Sequence, residues 1–222
     1  MINGIPKIDM PVNEPVYPYA PGTKEREELK AKLVQFARRK IDIPCVIGGR
    51  NVRTRSLGYC RIPHNHSHIL GTYHKAGKKE VKAAVAAARK AKPAWSRMPW
   101  EARAAIFHRA ADLLAGEFRM ILNAATMLNQ SKTVFQAEID AACELIDFFR
   151  FNTYFMRQIL EQQPESAAGM WNMSEARPLD GFVFAVTPFN FTSIAGNLPT
   201  APAMMGNTVL WKPASSAVYS AH

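Results

Sequence analysis

The chain has 222 residues, 48% hydrophobic and 21% charged, with a formal net charge of +10. That composition is globular, and the absence of any run of about eighteen apolar residues argues against a membrane span. The 28 Lys and Arg residues are scattered rather than striped. No RGG, zinc-finger or RNP pattern accompanies them, so a basic part of a better balanced protein explains the charge more simply than nucleic-acid binding.

Cys45, Cys60 and Cys143 are odd in number and lack CxxC spacing, which argues against a disulfide framework or a structural zinc and suits a reducing cytosol. The opening MINGIPKIDMPVNEPVYPYAPG reads as neither a secretory signal nor a transit peptide. A soluble cytoplasmic protein is the expectation.

Residues 1–22 carry five prolines and read as an extended arm laid over a surface. Thr23 to Lys40 is predicted to be a helix capped by Thr23, with Glu25, Glu27 and Glu28 in the first turn and Arg38, Arg39 and Lys40 in the last, as the helix dipole favours. Leu29, Leu33 and Phe36 form its apolar face. Ile43 to Thr54 places β-branched residues around Gly48-Gly49, a strand-turn-strand signal, and HSHILGTYHKA continues as a strand. Together these predict a small antiparallel sheet. KKEVKAAVAAARKAK is predicted to be a helix ending before Pro93, with Val81, Val85 and Ala88 on one face. A second helix runs from Pro99 to a stop at Gly116, and Phe118, Ile121, Leu122 and Ala125 mark a shorter third. TVFQAEIDAACELIDFFRFNTYFMRQILEQQ, with no Gly or Pro, is predicted to be one uninterrupted helix with Ile139, Ala142, Leu145, Ile146 and Phe149 inward.

After a loop from Pro164 to Arg177 the pattern changes. GFVFAVTPF and NTVLWKP are apolar runs of strand length, and SIAGNLPTAPAMMG between them can form one short helix. Strand, helix, strand is a βαβ unit, which predicts two adjacent parallel strands near Gly181–Thr187 and Asn207–Trp211, buried on both faces. In such open sheets ligands lie at the carboxyl ends of the strands. That draws attention to Thr187, Phe189 and Asn190 after the first strand and to Lys212 after the second. No two glycines are separated by a single residue, so no GxGxxG loop exists. His64, His66 and His68 alternate and would share one face of a strand, but no cysteine or carboxylate stands near enough in sequence to complete a zinc site. A polar face near a turn is the simpler reading. Cys143 lies on an apolar helix with no histidine pattern and is expected to be buried and inert.

PFNFT followed by WKP, preceded by QSKTVFQAEIDAACELIDFFRFN, resembles the aldehyde dehydrogenase superfamily. The QAEIDAA-ELIDFFRFN and TPFNFT spellings, with NEPV at Asn13–Val16, are similar to its 1-pyrroline-5-carboxylate dehydrogenase branch, which acts on L-glutamate γ-semialdehyde. The resemblance implies an α/β fold of the aldehyde dehydrogenase type, in which N-terminal helices and a β-hairpin lead into a Rossmann-like parallel sheet. It also implies that this chain is the N-terminal part of a longer protein, whose sheet is cut short here and whose catalytic cysteine, general-base glutamate and glycine-bearing cofactor loop come later. Within the chain three stretches are expected: the arm (1–22), a helical and β-hairpin region (23–177) and the first βαβ unit of the NAD-binding sheet (178–222).

The same resemblance implies roles for particular residues. Asn190 would aim its carboxamide at the oxyanion formed when a thiolate attacks the aldehyde, where a fixed neutral donor stabilises charge as it develops. The ordinary alternative is a turn asparagine capping the next helix. Lys212 would hold the adenosine ribose of NAD through its ammonium donors; otherwise it is a solvated lysine. Thr187 and Phe189 would line the same cofactor crevice. Phe191 could wall the methylene chain of the substrate and Glu144 could orient or shield the site, against the plainer readings of core aromatic and solvated helix charge. Ser131 departs from the glycine that many members carry before the lysine of that loop, leaving the loop's conformation open. No metal is expected, and the longer protein is expected to be a homo-oligomer acting on a small aldehyde. Competing readings are another aldehyde dehydrogenase, such as one for succinate semialdehyde, and a non-catalytic interaction module.

Overall fold

Proline fixes the backbone and removes amide donors, so the N-terminal residues cannot build helix or sheet of their own and must be held by side chains. The computed structural model describes residue 4 and residues 6–222, and residues 6–20 run without regular structure. Asp147 receives the Asn13 carboxamide and the Glu14 amide, both at 2.8 Å, and the Tyr17 amide donates to Glu138 at 2.8 Å. Residues 13–17 are therefore held against the segment that carries Glu138 and Asp147.

Helix α1 (Lys24–Arg38) has Glu25 and Glu27 in its first turn and Arg38 in its last. Thr23 occupies the N-cap position without making the cap bond; its hydroxyl turns back to donate to Ala20 O at 2.9 Å. Five strands follow: β1 (Ile41–Ile43), β2 (Cys45–Ile47), β3 (Arg50–Val52), β4 (Leu57–Ile62) and β5 (Asn65–His74). β2 and β3 form the expected hairpin, closed by Gly48 and Gly49 at φ 56° and 75°, a two-residue turn that L side chains resist. The other sheet has the order β1-β5-β4 and is mixed rather than antiparallel, because β1 pairs parallel with β5. Gly71 makes that pairing possible: a Cβ there would lie 2.4 Å from Ile41 O.

Helix α2 (Lys78–Arg97) runs through Pro93 instead of stopping before it. Its last turn is anchored from outside by Trp95, whose indole donates to Ala203 O at 2.9 Å, and tertiary contact overrides the local breaker. α3 (Trp100–Ala115) lies between Pro99 and Gly116, and α4 (Arg119–Gln130) follows. The long apolar segment is not one uniform helix. α5 (Val134–Ala137) passes into a π-helical turn, Glu138–Cys143, and then into α6 (Glu144–Glu161).

Strands β6 (Val183–Val186) and β7 (Val209–Lys212) are parallel and adjacent, Val183 opposite Val209 and Val186 opposite Lys212. Helix α7 (Thr192–Met204) joins them, and α8 (Val218–Ala221) ends the chain. The expectation that both strands are buried on both faces is corrected here. Ala185 is buried, but Phe184 and Val186 are 61% and 56% exposed, so one face of this two-stranded sheet is open.

Among the described residues three apolar clusters hold the elements together. Phe107 of α3 meets Phe149 of α6 with ring centroids 5.8 Å apart, beside Ile146, Met156 and Met204. Ile43, Cys60, Ile62 and Leu70 pack the mixed sheet on Ala125 and Leu128 of α4. Tyr19 and Leu29 bring the arm and α1 onto Met120 and Ala124 of the same helix.

Two outcomes follow from this packing. Gly71→Ala should lower unfolding stability by about 2 kcal/mol, the usual size of an overpacking penalty, read as a shift in denaturant midpoint. His108 meets Thr153 Oγ1 at 2.9 Å between α3 and α6, and burial pushes its pKa below the ordinary value. The unfolded chain therefore binds the proton more readily. This contribution to stability is complete above about pH 6.5 and is lost as pH falls below it; His108→Gln should flatten that part of a stability–pH curve.

Candidate active site

The carboxyl ends of β6 and β7 define the site. The pairing continues one step past the strands, with the Thr187 amide donating to Lys212 O at 3.3 Å. Thr187 is buried and its hydroxyl accepts from the Trp211 indole at 3.0 Å, locking the strand ends together. Residues 187–191 then turn outward, leaving Phe189 and Asn190 exposed. Lys212 is also exposed, at the end of β7 opposite Val186. Thr187, Phe189, Asn190 and Lys212 therefore share one end of the sheet.

Asn190 does not cap α7. The N-cap position belongs to Phe191, and no side chain supplies a cap bond. The ordinary role for a turn asparagine is thus not the one seen. The three residues after it are each held from below. Phe191 is half-buried, with Lys132 Nζ 4.4 Å from its ring centroid. The buried Thr192 hydroxyl lies 3.0 Å from Thr126 Oγ1 and accepts from Gln130 Nε2 at 2.7 Å. Ser193, fully buried, donates to Glu144 Oε2 at 2.6 Å. Glu144 is consequently a bonded group at the start of α6, joined to the first turn of α7, and not a freely solvated charge.

Sequence reasoning passed over Lys132, Asp140, Thr126, Gln130 and Ser193. Thr126 and Gln130 stand one helical turn apart on α4, a spacing that could have marked a polar contact point. Lys132 donates to Asp140 at 2.8 Å, and no local pattern indicated that pairing. The three histidines do not all lie on one strand as expected, because β5 begins at Asn65 and takes in His66 and His68 but not His64. His64 sits in the turn against Ser131 Oγ at 2.7 Å, and His68 contacts Ala37 O at 2.7 Å. Ser131 adopts the left-handed region, φ 54°, so the loop keeps a glycine-like conformation. The thiols of Cys45, Cys60 and Cys143 are free. Burial pushes Cys143 up to about 12, reinforced by the Glu138 carboxylate, and pushes Cys60 up to about 11. Among the described residues no group of three or more His, Cys, Asp or Glu could hold a metal ion, and no helix is long and apolar enough to cross a membrane.

Two parallel strands joined by a helix, their carboxyl ends presenting an exposed asparagine and lysine, define an α/β scaffold, and residues 56–222 match the aldehyde dehydrogenase family. The chain belongs to that family. It is 50% identical over 216 residues to the delta-1-pyrroline-5-carboxylate dehydrogenase of Agaricus bisporus, spanning 96% of this chain and 40% of that protein. The mitochondrial human protein of the same name is 45% identical over 210 residues, spanning 95% and 37%. Among solved structures, the delta-pyrroline-5-carboxylate dehydrogenase of Mycobacterium tuberculosis bound with NAD and cobalamin superposes with a TM-score of 0.98 at 55% identity, covering 100% of this chain and 42% of that one. A Thermus 1-pyrroline-5-carboxylate dehydrogenase with bound NAD gives 0.87 at 29% identity, covering 99% and 42%. The chain thus spans well under half the length of these relatives.

The Ser193–Glu144 bond gives a direct test of the site's construction. Ser193→Ala in the intact protein should cost about 2 kcal/mol of stability, as expected for a hydrogen bond to a charged group. A solvated carboxylate would give a change within about 0.5 kcal/mol. Chemical denaturation distinguishes the two.

Proposed function

We propose that this chain is the oxyanion-bearing and adenosine-binding part of an NAD-dependent L-glutamate γ-semialdehyde dehydrogenase, which oxidises the aldehyde to L-glutamate in proline breakdown. The observation that carries the reading is Asn190, exposed at the carboxyl end of a parallel strand and free of any capping duty, while the following residues are clamped. A carboxamide so placed can donate Nδ2–H to an oxygen that becomes anionic, with little reorganisation at the moment of reaction.

The residues present suit the adenosine side of NAD. Lys212 offers ammonium donors at a strand's carboxyl end, the exposed Phe189 ring adds apolar surface at the same end of the sheet, and Thr187 keeps the two strand ends in register. NAD, when bound, supplies the acceptor for the hydride that leaves the substrate carbon. In this reading Asn190 holds the substrate oxygen, Phe191 walls the aliphatic chain, and Glu144 braces the first turn of α7 through Ser193.

The nucleophilic cysteine and the carboxylate that activates water are assigned to the part of the protein this chain does not span. Support comes from the thiols themselves: Cys60 and Cys143 are buried with raised pKa values, and none of the three follows β6. The protein is read as a homo-oligomer, supported by the exposed Met170, Trp171 and Met173 on one loop. A cytoplasmic location is supported by the free thiols, although several relatives carry "mitochondrial" in their names.

Steady-state kinetics of the intact protein test the assignment. Asn190→Ala should lower kcat by about 10²- to 10³-fold, the loss typical of one oxyanion donor, while the Kd for NAD barely changes. Lys212→Ala should do the reverse, raising the Kd for NAD in calorimetry with less effect on the chemical step. Oxidation of succinate semialdehyde in clear preference to L-glutamate γ-semialdehyde would overturn the substrate assignment.

A further inference from the structure

Asn190 has to be held still to act as an oxyanion donor, yet it is exposed and lies two residues before the anchored helix begins at Thr192. Thr192 and Ser193 are fixed by side chains from α4 and α6. Between them and Asn190 stands only Phe191, whose two backbone dihedrals link the anchored helix to the residue that carries the carboxamide. A restraint on the Phe191 ring therefore restrains the backbone from which the donor projects.

That contact is Lys132. Helix α4 ends at Gln130, and Ser131 enters the left-handed region at φ 54° and ψ 36°, a conformation that L side chains resist. The Ser131 hydroxyl meets His64 Nδ1 of the β4–β5 turn at 2.7 Å, which helps hold the strained residue. The turn delivers Lys132 into a site where it is bound on two sides. Its ammonium donates to Asp140 Oδ2 at 2.8 Å, with the two side chains only 14% and 19% exposed. The same nitrogen lies 4.4 Å from the centroid of Phe191. A cation this well shielded from water interacts with a ring face more strongly than one at an open surface. Asp140 also satisfies most of the lysine's charge, which argues against a role for Lys132 in capturing an anionic substrate group.

We propose that Lys132 is a positioning residue for the reaction, clamped by Asp140 and acting through the Phe191 ring to hold the Asn190 carboxamide in its productive direction. The proposal rests on the reading of Asn190 as the oxyanion donor. A displacement of the donor by a fraction of an ångström weakens stabilisation of the transition state while leaving cofactor and ground-state contacts in place. The effect of losing Lys132 therefore falls on kcat.

The test uses the intact protein with Lys132→Met, which keeps the aliphatic stem, and Lys132→Arg, which keeps a cation able to stack on an aromatic face. Lys132→Met should lower kcat about tenfold, the rate equivalent of one shielded cation–π contact. Kd for NAD should stay within about twofold, which is under half a decade of binding, while KM for the aldehyde, which meets the same ring, should rise by less than kcat falls. Lys132→Arg should recover most of the loss. In parallel, 4-fluorophenylalanine placed at position 191 should show a ¹⁹F resonance that moves and broadens in Lys132→Met and returns towards its original position in Lys132→Arg. An unchanged kcat, or equal losses in kcat and NAD affinity, overturns the proposal. An unchanged ¹⁹F line in Lys132→Met also overturns it, because the ring would not then be held by the lysine. Absence of aldehyde oxidation in the unmodified protein, with the ¹⁹F shift still dependent on Lys132, would instead locate the error in the role given to Asn190.

Discussion

A guanidinium with 1% of its surface exposed cannot stay charged without partners close at hand, and Arg119 of α4 collects them from two distant parts of the chain. Glu138 faces it from the π-helical turn, Glu14 of the arm lies at 2.5 Å, Pro15 O accepts at 2.6 Å, and the Tyr17 ring covers it at 3.7 Å. Glu138, itself fully buried, receives Tyr19 Oη and Asn123 Nδ2 at 2.7 Å each. Burial works to raise the Glu138 pKa, but Arg119, the Tyr17 amide and the Tyr19 hydroxyl outweigh it and hold the carboxyl below its ordinary value. Such a pair adds little net stability over an apolar filling. Removing one partner, however, strands the other and costs several kcal/mol. Its effect is to specify: the arm has one place where its charge and amides are satisfied.

That specification reaches the site through the π-helical turn. Widened turns of this kind often accompany functional sites, and here the change of pitch lets nearby carboxylates face different neighbours. Glu138 takes Arg119, Asp140 takes Lys132, Glu144 takes Ser193 and Asp147 takes the arm at Asn13 and Glu14. Two of these contacts, Lys132 and Ser193, connect directly to the residues after Asn190. The N-terminal arm and the strand-end turn are distant in sequence but are fixed by the same stretch of ten residues.

Much of this architecture could be read from the sequence because its signals are local. Apolar periodicity marks α1, α3, α4 and α6, the glycine pair fixes the β2–β3 turn, and two apolar runs flanking a short helix announce the parallel pair β6 and β7. Asn190 and Lys212 stand out by their place at the ends of those runs and by resemblance to a known family. What remained hidden depends on contacts between distant residues. Nothing around Ala137 signals a π-helical turn, because the demand comes from Arg119, nineteen positions before Glu138. Pro93 reads as a stop until Trp95 finds Ala203. The parallel pairing of β1 with β5 depends on the close approach that Gly71 allows, and glycine in a strand has several possible meanings. Lys132 carries no local signal, since both of its partners lie elsewhere in the chain.

The most direct test of this chain of dependence is residue-resolved hydrogen exchange on the intact protein carrying Arg119→Met. The substitution keeps an apolar stem but leaves Glu138 and Glu14 without their cation. If the cluster ties the arm to the π-helical turn and the turn to the site, exchange should accelerate at the Tyr17 amide, through residues 138–147 and at the first turn of α7, while the β4–β5 ladder keeps its protection. Unchanged protection at Tyr17 and in the π-helical turn, or a uniform loss across the sheet and helices alike, would contradict the account.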